Sequence, residues 1–244
     1  MGVAHGTLEG GATIAGGAVV LDGSSGFVDL PNGLMSTLNS ATFETWLTDN
    51  SSGNWARIFD FGFSTGGEGN SGTGTNYLFL CPQTGGGILR AAITLANNGG
   101  EQTVDWAGTR LPAGVQKHVV LTLDGAAQTG RLYVDGQLVG ENLSVTRKPS
   151  ELGYTFNNWL GRSQWSGDAY LNASLAEFRI YDGALSAAEV AQHYEWGPEV
   201  AEDGPVAIVT QPQSQSVVEL QPATFSVAFR GTPPVRFPWY RNNA

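Results

Sequence analysis

The chain has 244 residues, of which 41% are hydrophobic and only 14% charged, with 34 glycines and a formal net charge of -10. Its twelve Lys and Arg are scattered singly, so no basic stripe exists to neutralise a phosphate backbone, and nucleic acid is excluded as a partner. No apolar run approaches the roughly 18 residues of a membrane span, and the single Cys81 rules out an intramolecular disulfide.

In chain order, residues 16–31 predict a hairpin of strands 18–21 and 26–30 about the turn Asp22-Gly23-Ser24-Ser25. Residues 41–48 alternate Phe43, Thr45 and Leu47 with Thr42, Glu44 and Trp46, large on both faces as in a strand at the middle of a sandwich. Strand 56–63 follows. Residues 66–75 are so rich in Gly, Ser, Thr and Asn that they predict a long surface loop. Strands 76–80 and 88–95 flank a turn at 82–87, and a short strand is expected at 103–106.

The most informative stretch is 116–140. Val119, Leu121 and Leu123 alternate with Val120, Thr122 and Asp124, the period of a strand with one buried face. A turn at 125–130 leads to Leu132-Tyr133-Val134, and Asp135-Gly136 suits a two-residue type I′ hairpin before Leu138 and Val139. A meander this apolar requires a second layer. Beyond it come short strand 159–161 and strand 173–181, whose Leu175, Phe178 and Ile180 imply a β-bulge. One helix, 187–194, is framed by Ser186 as N-cap, Glu189 completing a capping box, and Gly197-Pro198 as the stop. The expected fold is all-β: a two-sheet antiparallel jelly-roll sandwich with one short C-terminal helix.

Composition changes after Pro198. Residues 1–198 are assigned to the sandwich, 199–206 to an acidic, polar linker, and 207–244 to a second β segment. That segment alternates at 224–229 and carries Trp239-Tyr240 about ten residues on, resembling the first strands of a bacterial immunoglobulin-like domain. With half of such a domain missing, its open edge is expected to dock on the main domain or to support self-association with another copy. The chain is expected to be a piece of a larger exported protein, secreted or at the cell surface.

The main segment resembles the laminin-G-like jelly rolls of the concanavalin A-like lectin and glucanase superfamily. The segments that carry the likeness are HGTL, LDGSSGFVDLP, ATFETWL, RIFDFG, KHVVLTLDG, LYVDGQLV, LGRSQW and LAEFRIYDGALSAAEV, spanning about residues 4–194. Three departures stand out. The strand that normally precedes HGTL is missing, Gln116 replaces the usual Trp ahead of His118, and Ala176 replaces an acidic residue associated with a calcium site in some relatives. The resemblance implies the fold and says little about activity.

For retaining hydrolysis the superfamily's enzymes pair acids on one strand, and neither E-x-D-x-x-E nor E-x-D-x-E occurs. Gly62-Phe63-Ser64-Thr65-Gly66 matches G-x-S-x-G, but a Gly-rich loop follows where a nucleophile elbow needs a helix. His118 is read as structural, His193 as part of the helix and His5 as part of a leader. The chain is therefore expected not to be an enzyme. Among acids at turns and strand ends, Asp22, Asp60 and Asp168 are the candidates for a structural calcium, although Ser163 and Trp165 stand where the related pentraxins place acidic ligands.

Aromatic residues carry the functional expectation, because sugar rings stack their apolar faces on flat side chains while polar neighbours bind the hydroxyls. Trp55, Tyr154, Trp159 and Trp165 supply flat faces; Asn157, Asn158, Arg162, Gln164 and Asp168 supply polar partners. The loop 66–75 is expected at the same edge. These residues predict a non-catalytic, lectin-like module that binds a polysaccharide or glycan. The alternatives are a protein-interaction, adhesion or structural module, and, third, a glycoside hydrolase with an unrecognised constellation. Exposure of at least two of Trp55, Trp159 and Trp165 on a common surface separates the first reading from the second.

Overall fold

Two antiparallel sheets of seven strands make up the first unit of the chain, residues 1–197; residues 198–244 form a second unit. The structure, a computed structural model, describes residues 5–199, 207–217 and 221–230. One sheet runs β1 (Thr7–Glu9), β4 (Phe27–Leu30), β13 (Asn157–Leu160), β6 (Phe59–Ser64), β7 (Gly74–Cys81), β8 (Arg90–Thr94) and β9 (Gln102–Asp105). The other runs β12 (Gln137–Asn142), β11 (Thr129–Val134), β10 (Gln116–Asp124), β5 (Ala41–Asp49), β14 (Asn172–Asp182), β3 (Ala18–Asp22) and β2 (Thr13–Ala15).

Strand alternation builds the core between them. Phe43 and Leu47 of β5, Val119, Leu121 and Leu123 of β10, and Phe59 and Phe61 of β6 meet in one buried cluster. The Phe59 ring stacks between Phe43 at 5.0 Å and Phe61 at 4.8 Å. Each such side chain contributes roughly 1.5–3 kcal/mol through burial. The meander is present as β10, β11 and β12, with Val119 opposite Val134 and Leu121 opposite Leu132. Asp135 and Gly136 at its tip have φ of 50° and 76°, the positive pair a type I′ turn needs.

Several boundaries move. The strand expected at 56–63 begins only at Phe59, because Ala56 closes a turn by donating its N–H to the Gly53 carbonyl. The bulge expected near Leu175 is a register shift between Leu175 and Glu177 against β5. Instead of a leader, the stretch after His5 supplies β1, which pairs with β4. A 3-10 turn at Pro149–Leu152 had no clear sequence signal.

Helix α1 (Ala187–Trp196) follows its caps: Ser186 Oγ accepts from the Glu189 N–H at 3.3 Å, while Glu189 returns a carboxylate oxygen to the Ser186 N–H at 2.7 Å. It runs two residues past the expected end and stops at Gly197, whose φ of 76° favours glycine. Its buried side covers the outer face of the second sheet, with Val190 against Val120 and Tyr133.

In the second unit β15 (Ala207–Thr210) pairs antiparallel with β16 (Ala228–Arg230). Strand 224–229 is thus replaced by a shorter one that starts at Ala228. Trp239 and Tyr240, on which the immunoglobulin-like and docking expectations rest, lie outside the described residues.

Candidate functional site

The outer face of the first sheet is apolar at its middle. Along β7, Leu78 and Leu80 point into the core, so Tyr77, Phe79 and Cys81 must point outward, where they meet Ala92 of β8 in a second buried cluster. Two tryptophans, Trp55 and Trp165, pack partly buried against that cluster. One precedes β6 and the other lies between β13 and β14, so two separate connections cover one sheet face.

Trp55 has φ of 63°, an unusual conformation for a bulky residue that costs on the order of 1–3 kcal/mol. It is held there by its N–H donating to the Gln83 carbonyl at 2.9 Å and by its carbonyl accepting from Arg57 Nη1 at 2.7 Å. Trp165 is placed by Gly72, which donates to the Gln164 carbonyl and accepts from the Ser166 N–H, both at 2.9 Å. Gly74 is required beneath it: a Cβ there would stand 2.6 Å from the Trp165 indole nitrogen.

Between the tryptophans lies an open cavity of about 430 Å3. Its buried lining is Arg57 and Tyr77, and its accessible lining adds Asn98, Glu101 and Asp168. The Arg57 guanidinium lies 3.9 Å over the Phe79 ring. It bridges Asp60 at 3.2 Å and Asp168 at 2.9 Å. Burial raises Asp60 to about 6, only partly offset by Arg57 and the Gln164 N–H. Burial also raises Asp168, with Arg57 and Ser163 pulling the other way. Tyr77 donates its hydroxyl to Glu101 at 2.6 Å, and burial together with that carboxylate pushes the phenol far above its usual range, so it stays a donor. A second cavity of about 250 Å3 shares Trp165 and Asp168 with the first and is also lined by Arg162 and Tyr170.

Of the residues nominated from sequence, Trp55, Trp165 and Asp168 meet at the first cavity and Arg162 lines the second. Trp55 and Trp165 are both partly accessible on that common surface. Trp159 shares the sheet face but is 1% exposed. It sits edge-on to Phe27, with the Arg162 guanidinium 4.3 Å above its ring, and offers no free face to a sugar.

Asn157, Asn158 and Gln164 are fully buried braces. Asn157 Oδ1 accepts from the Gly69 N–H at 2.8 Å, Gln164 Nε2 donates to the Asn157 carbonyl at 2.9 Å, and Asn158 Nδ2 donates to the Pro31 carbonyl at 2.9 Å. The expected meeting of loop 66–75 with this region is real, but its effect is to seal polar groups inward. Arg162 adds to the seal by donating to the Gly69 carbonyl and Ser71 Oγ. Tyr154 is 68% exposed and lines neither cavity, standing instead beside Gly33.

The calcium ligands do not assemble. Asp22 uses its carboxylate on its own turn, accepting from the N–H groups of Ser24, Ser25 and Gly26 at 2.8–2.9 Å, and these bonds hold it well below the usual carboxylate range. Asp60 and Asp168 converge on a guanidinium. Among the described residues no group of three or more His, Cys, Asp or Glu comes together. This donor set does not fit an ion that takes six to eight oxygens.

Ser64 donates its hydroxyl to the Asn70 carbonyl at 2.6 Å and tethers the Gly-rich loop, with no helix after it. His118 and His193 face the other sheet's outer side, both bonded to Glu44. Sequence reasoning missed Arg57, Tyr77, Asn98 and Glu101. Only Tyr77 had a signal, since a large aromatic on each side of a strand implies that both faces are covered.

No curated protein matches the sequence. Residues 22–191 match a laminin G family described as the concanavalin A-like lectin/glucanases superfamily. Solved structures share the fold. Domain 4 of an extracellular arabinanase from Geobacillus stearothermophilus, in complex with arabinotriose, has a TM-score of 0.61 at 20% identity, covering 75% of this chain and 81% of that one. The carbohydrate-binding module of a Ruminococcus gnavus sialidase, bound to α2,3-sialyllactose, has a TM-score of 0.55 at 18% identity, covering 72% and 95%. A botulinum neurotoxin C/D receptor-binding domain has a TM-score of 0.55 at 17% identity, covering 79% of this chain and 46% of that one.

Proposed function

This chain belongs to the concanavalin A-like lectin/glucanases superfamily, and on that premise we propose that it is a non-catalytic carbohydrate-binding module of an extracellular protein. One observation carries the reading: Trp55 and Trp165, both accessible, flank one cavity whose remaining lining is hydrogen-bonding groups. Sugar binding needs that combination, a flat apolar face beside donors and acceptors for hydroxyls. Asn98, Glu101 and Asp168 serve the hydroxyls. The fold neighbours that hold arabinotriose and sialyllactose support the same class of ligand. On this reading the binding has no covalent step: of the carboxyl groups at the cavity, Asp60 is wholly buried, Asp168 is paired with Arg57 and Glu101 accepts from the Tyr77 hydroxyl.

Affinity per site is modest, because a polar cavity must be desolvated; neighbouring modules of a larger protein would supply avidity. A protein-adhesion role is disfavoured by the small, polar cavity between the rings. Retardation in gels carrying soluble polysaccharides tests the proposal. At least one polysaccharide retards the intact chain, Trp165→Ala weakens retention about tenfold, roughly 1.4 kcal/mol, and Tyr154→Ala leaves it within about twofold. Retention by none of a broad panel, or retention insensitive to Trp165→Ala, overturns it.

A further inference from the structure

The charge balance of the cavity says which sugars it takes. Its lining holds one guanidinium, Arg57, against two carboxylates, Glu101 and Asp168, with the Asp60 carboxyl directly beneath. Three of the five Arg57 N–H groups are engaged, Nε with Asp60, one on Nη2 with Asp168 and one on Nη1 with the Trp55 carbonyl, so its single charge is shared between two carboxyl groups. Arg90, on the outward side of β8, is likewise matched, through two hydrogen bonds of 2.8 and 2.7 Å to Asp105. Arg57 and Arg90 are thus both ion-paired, and Tyr77 directs its hydroxyl at Glu101.

We infer that the first cavity selects uncharged sugars and rejects glycans bearing carboxylate or sulfate groups. The inference rests on the proposed function. A sugar carboxylate entering between Trp55 and Trp165 would meet Glu101 and Asp168 where the one guanidinium in the lining is already paired with carboxyl groups, and like charges at such range repel. A neutral sugar loses nothing of this kind: the two carboxylates accept from its hydroxyls, charge-assisted bonds stronger than neutral ones. Arg162 lines the second cavity and not the first, and has no carboxylate within ion-pair distance among the described residues. Its bonds to the Gly69 carbonyl and Ser71 Oγ direct it to bracing the loop.

The test uses the full chain in affinity gels with pairs of polysaccharides that share a backbone and differ in charge: hydroxyethyl against carboxymethyl cellulose, methyl-esterified against de-esterified homogalacturonan, and neutral arabinan, galactomannan and mixed-linkage glucan beside them. The expected result is retention by neutral polymers only. Glu101→Gln raises the ratio of acidic to neutral retention on the order of fivefold, and in the unaltered chain added salt raises that ratio, since screening weakens repulsion. An acidic polymer retained at least as strongly as its neutral partner, with the retention lost in Trp165→Ala or falling with salt, overturns the inference while leaving glycan binding standing. Retention by no polymer overturns both.

Discussion

The two outer faces of the sandwich each bury a carboxylate among aromatic and cationic side chains, and they do so to opposite effect. On the second sheet, Glu44 accepts from His118 Nε2 at 2.8 Å, His193 Nδ1 at 3.0 Å and the Tyr181 hydroxyl at 2.7 Å, with Arg179 at 3.6 Å, and α1 closes over the cluster. On the first sheet, Asp60 Oδ2 takes Arg57 and the Gln164 N–H, while Oδ1 is buried with no partner among the described residues. Burial pushes Glu44 upward, yet its hydrogen bonds outweigh it and hold the group at about 2. For Asp60 burial wins. What differs is the number of donors per carboxylate: the face sealed by a helix surrounds its carboxylate with donors, and the face that keeps an open cavity carries an incompletely satisfied one.

Removing the centre of each cluster breaks the comparison most sharply. Glu44→Ala strands two imidazoles and a phenol, and Arg57→Ala strands Asp60; each lowers stability by about 3–5 kcal/mol in urea titrations. Only Arg57→Ala also abolishes polysaccharide retention, measured under conditions where both variants remain folded. Equal retention in the two variants would contradict the division of labour between the faces.

The opposite shifts predict opposite pH slopes. Glu44 has a folded-state pKa below its ordinary 4.5, so its stabilisation is present above that pH and lost as pH falls toward about 2. Asp60 has a folded-state pKa above its ordinary 3.8, so its contribution is fully present below that pH and lost as pH rises through about 6. Urea midpoints followed against pH check both: Glu44→Gln flattens the acid limb below 4.5, and Asp60→Asn flattens the decline between 3.8 and 6. The smallest effect belongs to the cap of α1. Ser186→Ala costs about 1 kcal/mol and leaves retention unchanged, because the helix lies on the sealed face.

Much of the fold was legible in local pattern. The meander, its Asp135-Gly136 turn, the bulge near Leu175 and the Ser186 box each depend on residues within a few positions of one another. The candidate site was only partly legible. Trp55, Trp165 and Asp168 were visible as unusual residues in loops, whereas Trp159, Asn157, Asn158 and Gln164 look equally fit for a ligand in sequence and are buried in the structure. Glu101 and Asn98 sit in an ordinary polar turn, with nothing local to distinguish them.

The sequence by itself determined which side of each strand every residue occupies, because side-chain direction follows a two-residue period set by the backbone. Only the tertiary structure decided which outward sides stay open. The helix that seals Glu44 and the loop that seals Asn157 arrive from about 149 and about 90 residues away. Exposure is a property of what those distant segments cover, and no local periodicity carries it.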